Sequence, residues 1–113
     1  MNIIQAKAWA DEMDIMLTVC DLNGTIVYMN QTSVMGFHKY GGAELIGKSL
    51  FNCHLPQSQL IIKNMLEFPQ VNTHIIHKNN ERRLIRMFPW IEKGEHKGLI
   101  ELNFEIPDDI SEH

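Results

Sequence analysis

Apolar positions recur along this chain with two spacings, and each change of spacing marks an element. Residues 2–13 place Ile3, Ala6, Trp9, Ala10 and Met13 within one face at about 100° per residue, with Gln5, Lys7, Asp11 and Glu12 off that stripe. This predicts an amphipathic helix, too short to persist unless its stripe lies on the domain's own sheet or on a partner subunit. Residues 15–22 are a β-rich run, Asn23-Gly24 follows, and residues 25–30 return. Asn-Gly between apolar runs is the strongest short hairpin signal. A short helix is predicted near residues 31–37. One helical turn is predicted at 43–46, stopped by Gly47, which can take the positive φ of a helix end. Residues 56–68 read as the main helix, with Leu60, Ile61, Met65 and Phe68 as its stripe and Ile62 and Leu66 broadening it. Pro56 suits the first helical position, and Pro69 ends the run.

Three strands follow, at residues 71–77, 82–91 and 97–106, separated by polar turns. The last shows the cleanest alternation. Gly98, Ile100, Leu102, Phe104 and Ile106 share one face, read as inner. Lys97, Glu101, Asn103 and Glu105 share the other, read as outer. Pro89 within the middle strand predicts an edge, a bulge or a bend. The middle strand is apolar on both faces: Leu84, Phe88 and Trp90 on one, Ile85, Met87 and Ile91 on the other. Such a strand must be covered on both sides. Helices supply one cover. The N-terminal helix, a second subunit or both must supply the other, so a homodimer is expected, with Ile3, Ala6, Trp9 and Met13 as its candidate contacts.

Composition narrows the class. The chain has 113 residues, 44% hydrophobic and 21% charged, which suits one globular domain with one core. The expected division is an N-terminal helix (1–13), the domain proper (14–107) and an acidic tail (108–113). The net charge of -4 without a basic run excludes an electrostatic footprint for nucleic acid. No apolar run is long enough to span a membrane, and residues 1–10 do not read as a signal peptide. Cys20 and Cys53 form no metal or redox spacing, so reduced thiols in a cytoplasmic protein are expected. Neither a nucleophile–base order, nor a phosphate loop, nor paired carboxylates in a cleft is visible, so no enzymatic activity is expected.

The stretch from Glu44 to Pro56 joins the hairpin half to the main helix, and its trio Asn52-Cys53-His54 brings an amide, a thiol and an imidazole to the helix start. The order of hairpin, short helices, long helix and three antiparallel strands resembles the PAS (sensory box) family. So do Asp21-Leu22-Asn23-Gly24-Thr25-Ile26-Val27-Tyr28-Met29-Asn30 and Glu44-Leu45-Ile46-Gly47-Lys48-Ser49, over roughly residues 12–107. The stretch from Gly47 to His54 is also similar to bacterial members with Cys-His-Pro-Pro here, although Leu55 stands where their first proline would be. The resemblance implies an α+β, PAS-like five-stranded antiparallel sheet with helices on one face and an N-terminal amphipathic helix. It implies a regulatory module of bacterial signal transduction that dimerises, can hold a small ligand and passes a signal to a downstream protein. The chain would be a stand-alone protein or part of a larger one.

Candidate ligand residues are Phe51, Asn52, Cys53, His54, Met65, Arg86, Phe88 and Leu102. A cavity without a coloured cofactor, a haem or flavin sensor, and a purely structural dimerisation module filled by Phe51, Met65, Leu102 and Phe104 all stay open. For flavin, Asn52-Cys53 and Gln57 match the photoactive-cysteine segment of the LOV subclass. His54 replaces its arginine, Gly47 lies too far upstream, and Asn103 falls on the outer face. For haem, His54 lies beside the long helix and offers an imidazole; its plainer role is to pin the turn to the helix. His74, His77 and His96 lack ligand spacing, and His74 and His77 point to opposite faces, so no metal site is expected. Arg82 and Arg86 share a face with Leu84 and Phe88 and could clamp an anion, or pair with Glu101 or Glu105 on the neighbouring strand.

Overall fold

The computed structural model describes residues 8–113, except the side chain of Cys53. The first helix, α1, is described over Ala8–Asp11, so Ile3 and Ala6 lie outside the described residues. β1 (Met16–Asp21) and β2 (Ile26–Met29) form the predicted hairpin. Its turn is built by Asp21, whose carboxylate accepts from the Asn23 and Thr25 amides at 2.9 and 3.0 Å, while Gly24 takes φ +80°. Such side-chain acceptance is what makes aspartate a turn residue. α2 (Gln31–Gly36) follows, then 3₁₀ turns at His38–Tyr40, Gly42–Leu45 and Leu50–Cys53. α3 (Pro56–Glu67) begins on the predicted proline. β3 (Asn72–Lys78), β4 (Glu81–Glu92) and β5 (Glu95–Glu105) complete one antiparallel sheet in the order β2-β1-β5-β4-β3.

The sheet's inner face is set by what packs on α3. Cys20, Ile85, Met87 and Leu99 form one core with Ile62, Met65 and Leu66. A second core joins Ile26, Met29 and Leu45. Strand alternation then puts Leu84, Arg86, Phe88 and Trp90 on the far face, with their partners Phe104, Leu102, Ile100 and Gly98. This corrects the face assignment of β5. Leu99, Glu101 and Asn103 face the helices; Ile100, Leu102 and Phe104 face away. The helix stripe is also rotated from its expected phase. Ile62, Met65 and Leu66 are buried, whereas Leu60 (69%) and Phe68 (59%) are exposed.

One residue ties the N-terminal segment to the domain. Asn30 is fully buried and caps α2 by accepting from Ser33 N at 2.9 Å. The same oxygen accepts from Leu17 N at 3.0 Å, and its amide donates to the carbonyls of Ala10 (3.1 Å) and Ile15 (2.7 Å). Its hydrogen-bonding capacity is therefore filled. Tyr28, on the far face, donates to Asp11 of α1 at 3.2 Å. Desolvation, reinforced by Asp11, pushes the Tyr28 phenol up to about 12.

Pro89 sits opposite Leu99. β3 ends its pairing at Met87, so β4 is an edge locally even though it is internal over most of its length. A register shift between Trp90 and Ile91 follows at once. The proline thus meets two of its three predicted circumstances together.

Candidate functional site

A cavity of about 1040 Å³ lies between the inner sheet face, α2 with the turn after it, and the start of α3. Its sheet wall takes in Met16 of β1, Asn72, His74, Ile76 and Lys78 of β3, Glu81, Arg83, Ile85 and Met87 of β4, and Glu101 and Asn103 of β5. α3 contributes Ser58, Ile61 and Ile62, and His54 stands where the preceding turn enters that helix. Polar side chains are therefore interleaved with an apolar set, Met16, Ile61, Ile62, Ile85 and Met87, a mixture that can both bury and orient a ligand.

The polar row is ordered by its own hydrogen bonds. Arg83 Nε donates to Asn103 Oδ1 at 2.7 Å, Nη1 to Glu81 Oε2 at 2.8 Å, and Nη2 faces Met16 Sδ at 3.6 Å. Beside Asn103 on the same face, Glu101 lies between Thr18 and Met87. Its carboxyl is desolvated, which raises its pKa above the ordinary carboxylate range, while His54 draws it back down. The residue as a whole keeps partial exposure, and it lines the cavity.

His54 is held from two directions. Its Nδ1 lies 2.8 Å from the Leu50 carbonyl. A carbonyl only accepts, so Nδ1 carries the proton and the neutral ring leaves Nε2 unprotonated. Gln59 of α3 donates to the carbonyls of Phe51 (2.9 Å) and His54 (2.8 Å). The turn is thereby pinned to the helix by Gln59, while the His54 ring bonds a carbonyl of its own turn. The same tautomer is the one an imidazole ligand of iron adopts, with its other ring nitrogen donating to a carbonyl.

Of the eight candidate ligand residues, His54 alone is described as lining this cavity. Met65 is 1% exposed and belongs to the core. Phe51 packs against that core and lines a second depression of about 720 Å³ with Leu22, Pro56 and Leu60. Asn52 is exposed. Arg86, Phe88 and Leu102 are on the far face, and Arg86 donates to Thr73 Oγ1 at 2.7 Å. They were grouped with Met65 because the apolar side of β5 reads as interior; here both sides are covered or half-covered, so apolarity does not identify the helix side. Arg83, Glu101 and Asn103 were missed for the same reason. The available signal was parity: Arg83 is in step with Ile85 and Met87. Among the described residues no group of three His, Cys, Asp or Glu could hold a metal ion. No helix among them is long and apolar enough to cross a membrane.

A five-stranded sheet in this order, with a turn-rich segment and one long helix across its inner face, has close matches among solved structures. One is the Aer2 receptor from Vibrio cholerae, described as a dual PAS-heme oxygen sensor. It matches 87% of this chain and 99% of its own, at 21% identity and a TM-score of 0.65. This chain has the PAS fold. Two other similar structures are the PAS domain of the histidine kinase ThkA (16% identity, TM-score 0.64, 80% of this chain and 98% of that one) and VqmA bound to DPO (16% identity, TM-score 0.67). The VqmA match covers 88% of this chain and 56% of VqmA, so this chain spans about half of that protein. No family profile and no curated protein matches the chain.

Proposed function

We propose that this PAS-fold domain is a sensory module that binds a small colourless ligand in the cavity between α2, α3 and the sheet. The observation that carries the reading is the ordered polar row, Glu81–Arg83–Asn103 with Glu101, beside the apolar side chains of Met16, Ile62, Ile85 and Met87 in one cavity. Ligand binding there would bear on α2, and through Asn30 on the N-terminal segment, which gives the signal a route out. In this reading residues 14–107 are the sensing unit, and the segment before them, with Trp9 exposed at 68% and Met13 beside it, forms a homodimer contact. The output is a downstream partner in cytoplasmic signalling rather than a reaction catalysed by this domain.

The test is a melting-temperature screen of the purified protein against small metabolites. A ligand that binds the folded state alone raises the melting temperature with its concentration. At least one compound should do so, and the rise should vanish when Ile62→Trp fills the cavity. A collection that leaves melting unchanged would sink the reading.

A second reading, a haem sensor, is supported by the His54 tautomer and by the likeness to a PAS-heme protein. His54 Nε2 would hold the iron, which would supply the gas-binding chemistry. The visible absorbance spectrum of the purified protein separates the two. A sharp violet band abolished by His54→Ala establishes haem, a structured blue band would turn attention to flavin and Cys53, and a flat trace favours the colourless ligand.

A further inference from the structure

The orientation of Asn103 is decided by its partner. A guanidinium can only donate, so the 2.7 Å contact from Arg83 Nε fixes Oδ1 toward the arginine and turns Nδ2 away from it. Asn103 is 8% exposed and lines the cavity. Among the described residues nothing accepts the Nδ2 hydrogens. Two residues back on the same face, about 6.6 Å along the strand, Glu101 lines the same cavity, and no described side chain or amide donates to its carboxyl. A donor and an acceptor thus stand side by side on the cavity wall, open to the cavity and without partners among the described residues.

We propose that Asn103 and Glu101 recognise the ligand together, and that it is a small, flat, neutral molecule with an acceptor and an N–H donor on one edge, as in a carboxamide or lactam. The acceptor takes a hydrogen from Asn103 Nδ2, and the N–H donates to Glu101. The rest of the molecule lies against Met16, Ile62 and Ile85. This inference rests on the ligand-binding reading above and specifies its chemistry.

The same groups argue against the other charge types. A carboxylate would meet Glu101, and the nearby Arg83 charge is already paired with Glu81 at 2.8 Å. Lys39 and Lys78 are exposed at the cavity mouth, where water screens them. An amidinium satisfies Glu101 but turns a second donor toward the Asn103 amide, which also donates. Only a mixed edge meets both residues, and a buried polar group left unpaired is costly.

Four ring-matched probes test this: benzamide, benzoate, benzamidine and ethylbenzene, titrated into ¹⁵N-labelled full-length protein and followed by amide shifts around the cavity. Benzamide should bind about tenfold more tightly than benzoate or benzamidine, the discrimination of one mismatched buried hydrogen bond. Asn103→Leu should cost benzamide about tenfold and leave ethylbenzene unchanged, which also reports that the variant is folded. Glu101→Gln should keep benzamide within a few-fold and raise benzoate about tenfold, since the repelling carboxylate is gone. Benzoate or benzamidine equal to benzamide, or benzamide insensitive to both substitutions, overturns the proposal while leaving ligand binding intact. Failure of all four probes, ethylbenzene included, removes the ligand-binding reading as well.

Discussion

Replacing Asn30 with alanine should be among the most damaging single changes in this domain. The side chain makes four hydrogen bonds from a fully buried position: two accepted, from Leu17 and Ser33, and two donated, to Ala10 and Ile15. Each contributes about 1 kcal/mol net, and the contact to Ser33 is also the N-cap of α2, a role that by itself is worth about 1 kcal/mol. Water entering the vacated space can re-bond part of what is lost, so about 3 kcal/mol is expected rather than the full sum. A domain of this size has about 10 kcal/mol in total. With a urea slope of about 1.5 kcal/mol per molar, the midpoint should fall by about 2 M at unchanged slope. A midpoint shift below about 0.5 M would refute the reasoning. Asn30→Asp makes a sharper comparison, because it keeps the acceptor and faces the Ala10 and Ile15 carbonyls with a carboxylate. Its folded pKa should lie above the unfolded one. The variant should then approach wild type at acid pH and lose stability as pH rises from the unfolded value through the folded one, reaching a plateau beyond.

Three further outcomes follow from other contacts. Gly98→Ala would set a Cβ 1.9 Å from the Cys20 carbonyl oxygen, which is backbone and cannot swing away; β1 must part from β5, and thermal melts should show a loss of about 3 kcal/mol or more. Because burial raises the Glu101 pKa, its ionisation opposes folding: stability should decline as pH climbs above the ordinary carboxylate value, and Glu101→Gln should flatten that part of the melting-temperature profile. The Cys20 thiol is 2% exposed and desolvation pushes its pKa up to about 11; with Cys53→Ala in place, it should resist Ellman's reagent at neutral pH until denaturant is added.

The elements themselves were legible in the sequence because each is bounded by local chemistry. Asn23-Gly24, Gly47, Pro56 and Pro69 mark turns and ends whatever the rest of the chain does. The orientation of those elements was not. Met87 and Phe88 are equally apolar neighbours on β4, and nothing local says which of them meets α3. In α3 the expected stripe passed through Leu60 and Phe68, yet the helix sits with Ile62, Met65 and Leu66 inward. The polar row was hidden for a related reason. Arg83, Glu101 and Asn103 look like solvent-facing residues by type, and on a cavity wall they occupy interior positions without being core. His54 was legible because it adjoins a recognisable helix start.

The free stretch of β4 beyond Met87 has a meaning outside the cavity. Five residues there, Phe88 to Glu92, pair with β5 alone, leaving an unclaimed row of backbone groups on which a stray strand could add. Pro89 withholds an N–H from any such visitor, and the bulge one step later spoils the alignment it would need. The residues that look like interruptions of a good strand therefore act as a guard against strand addition along this open stretch of β4.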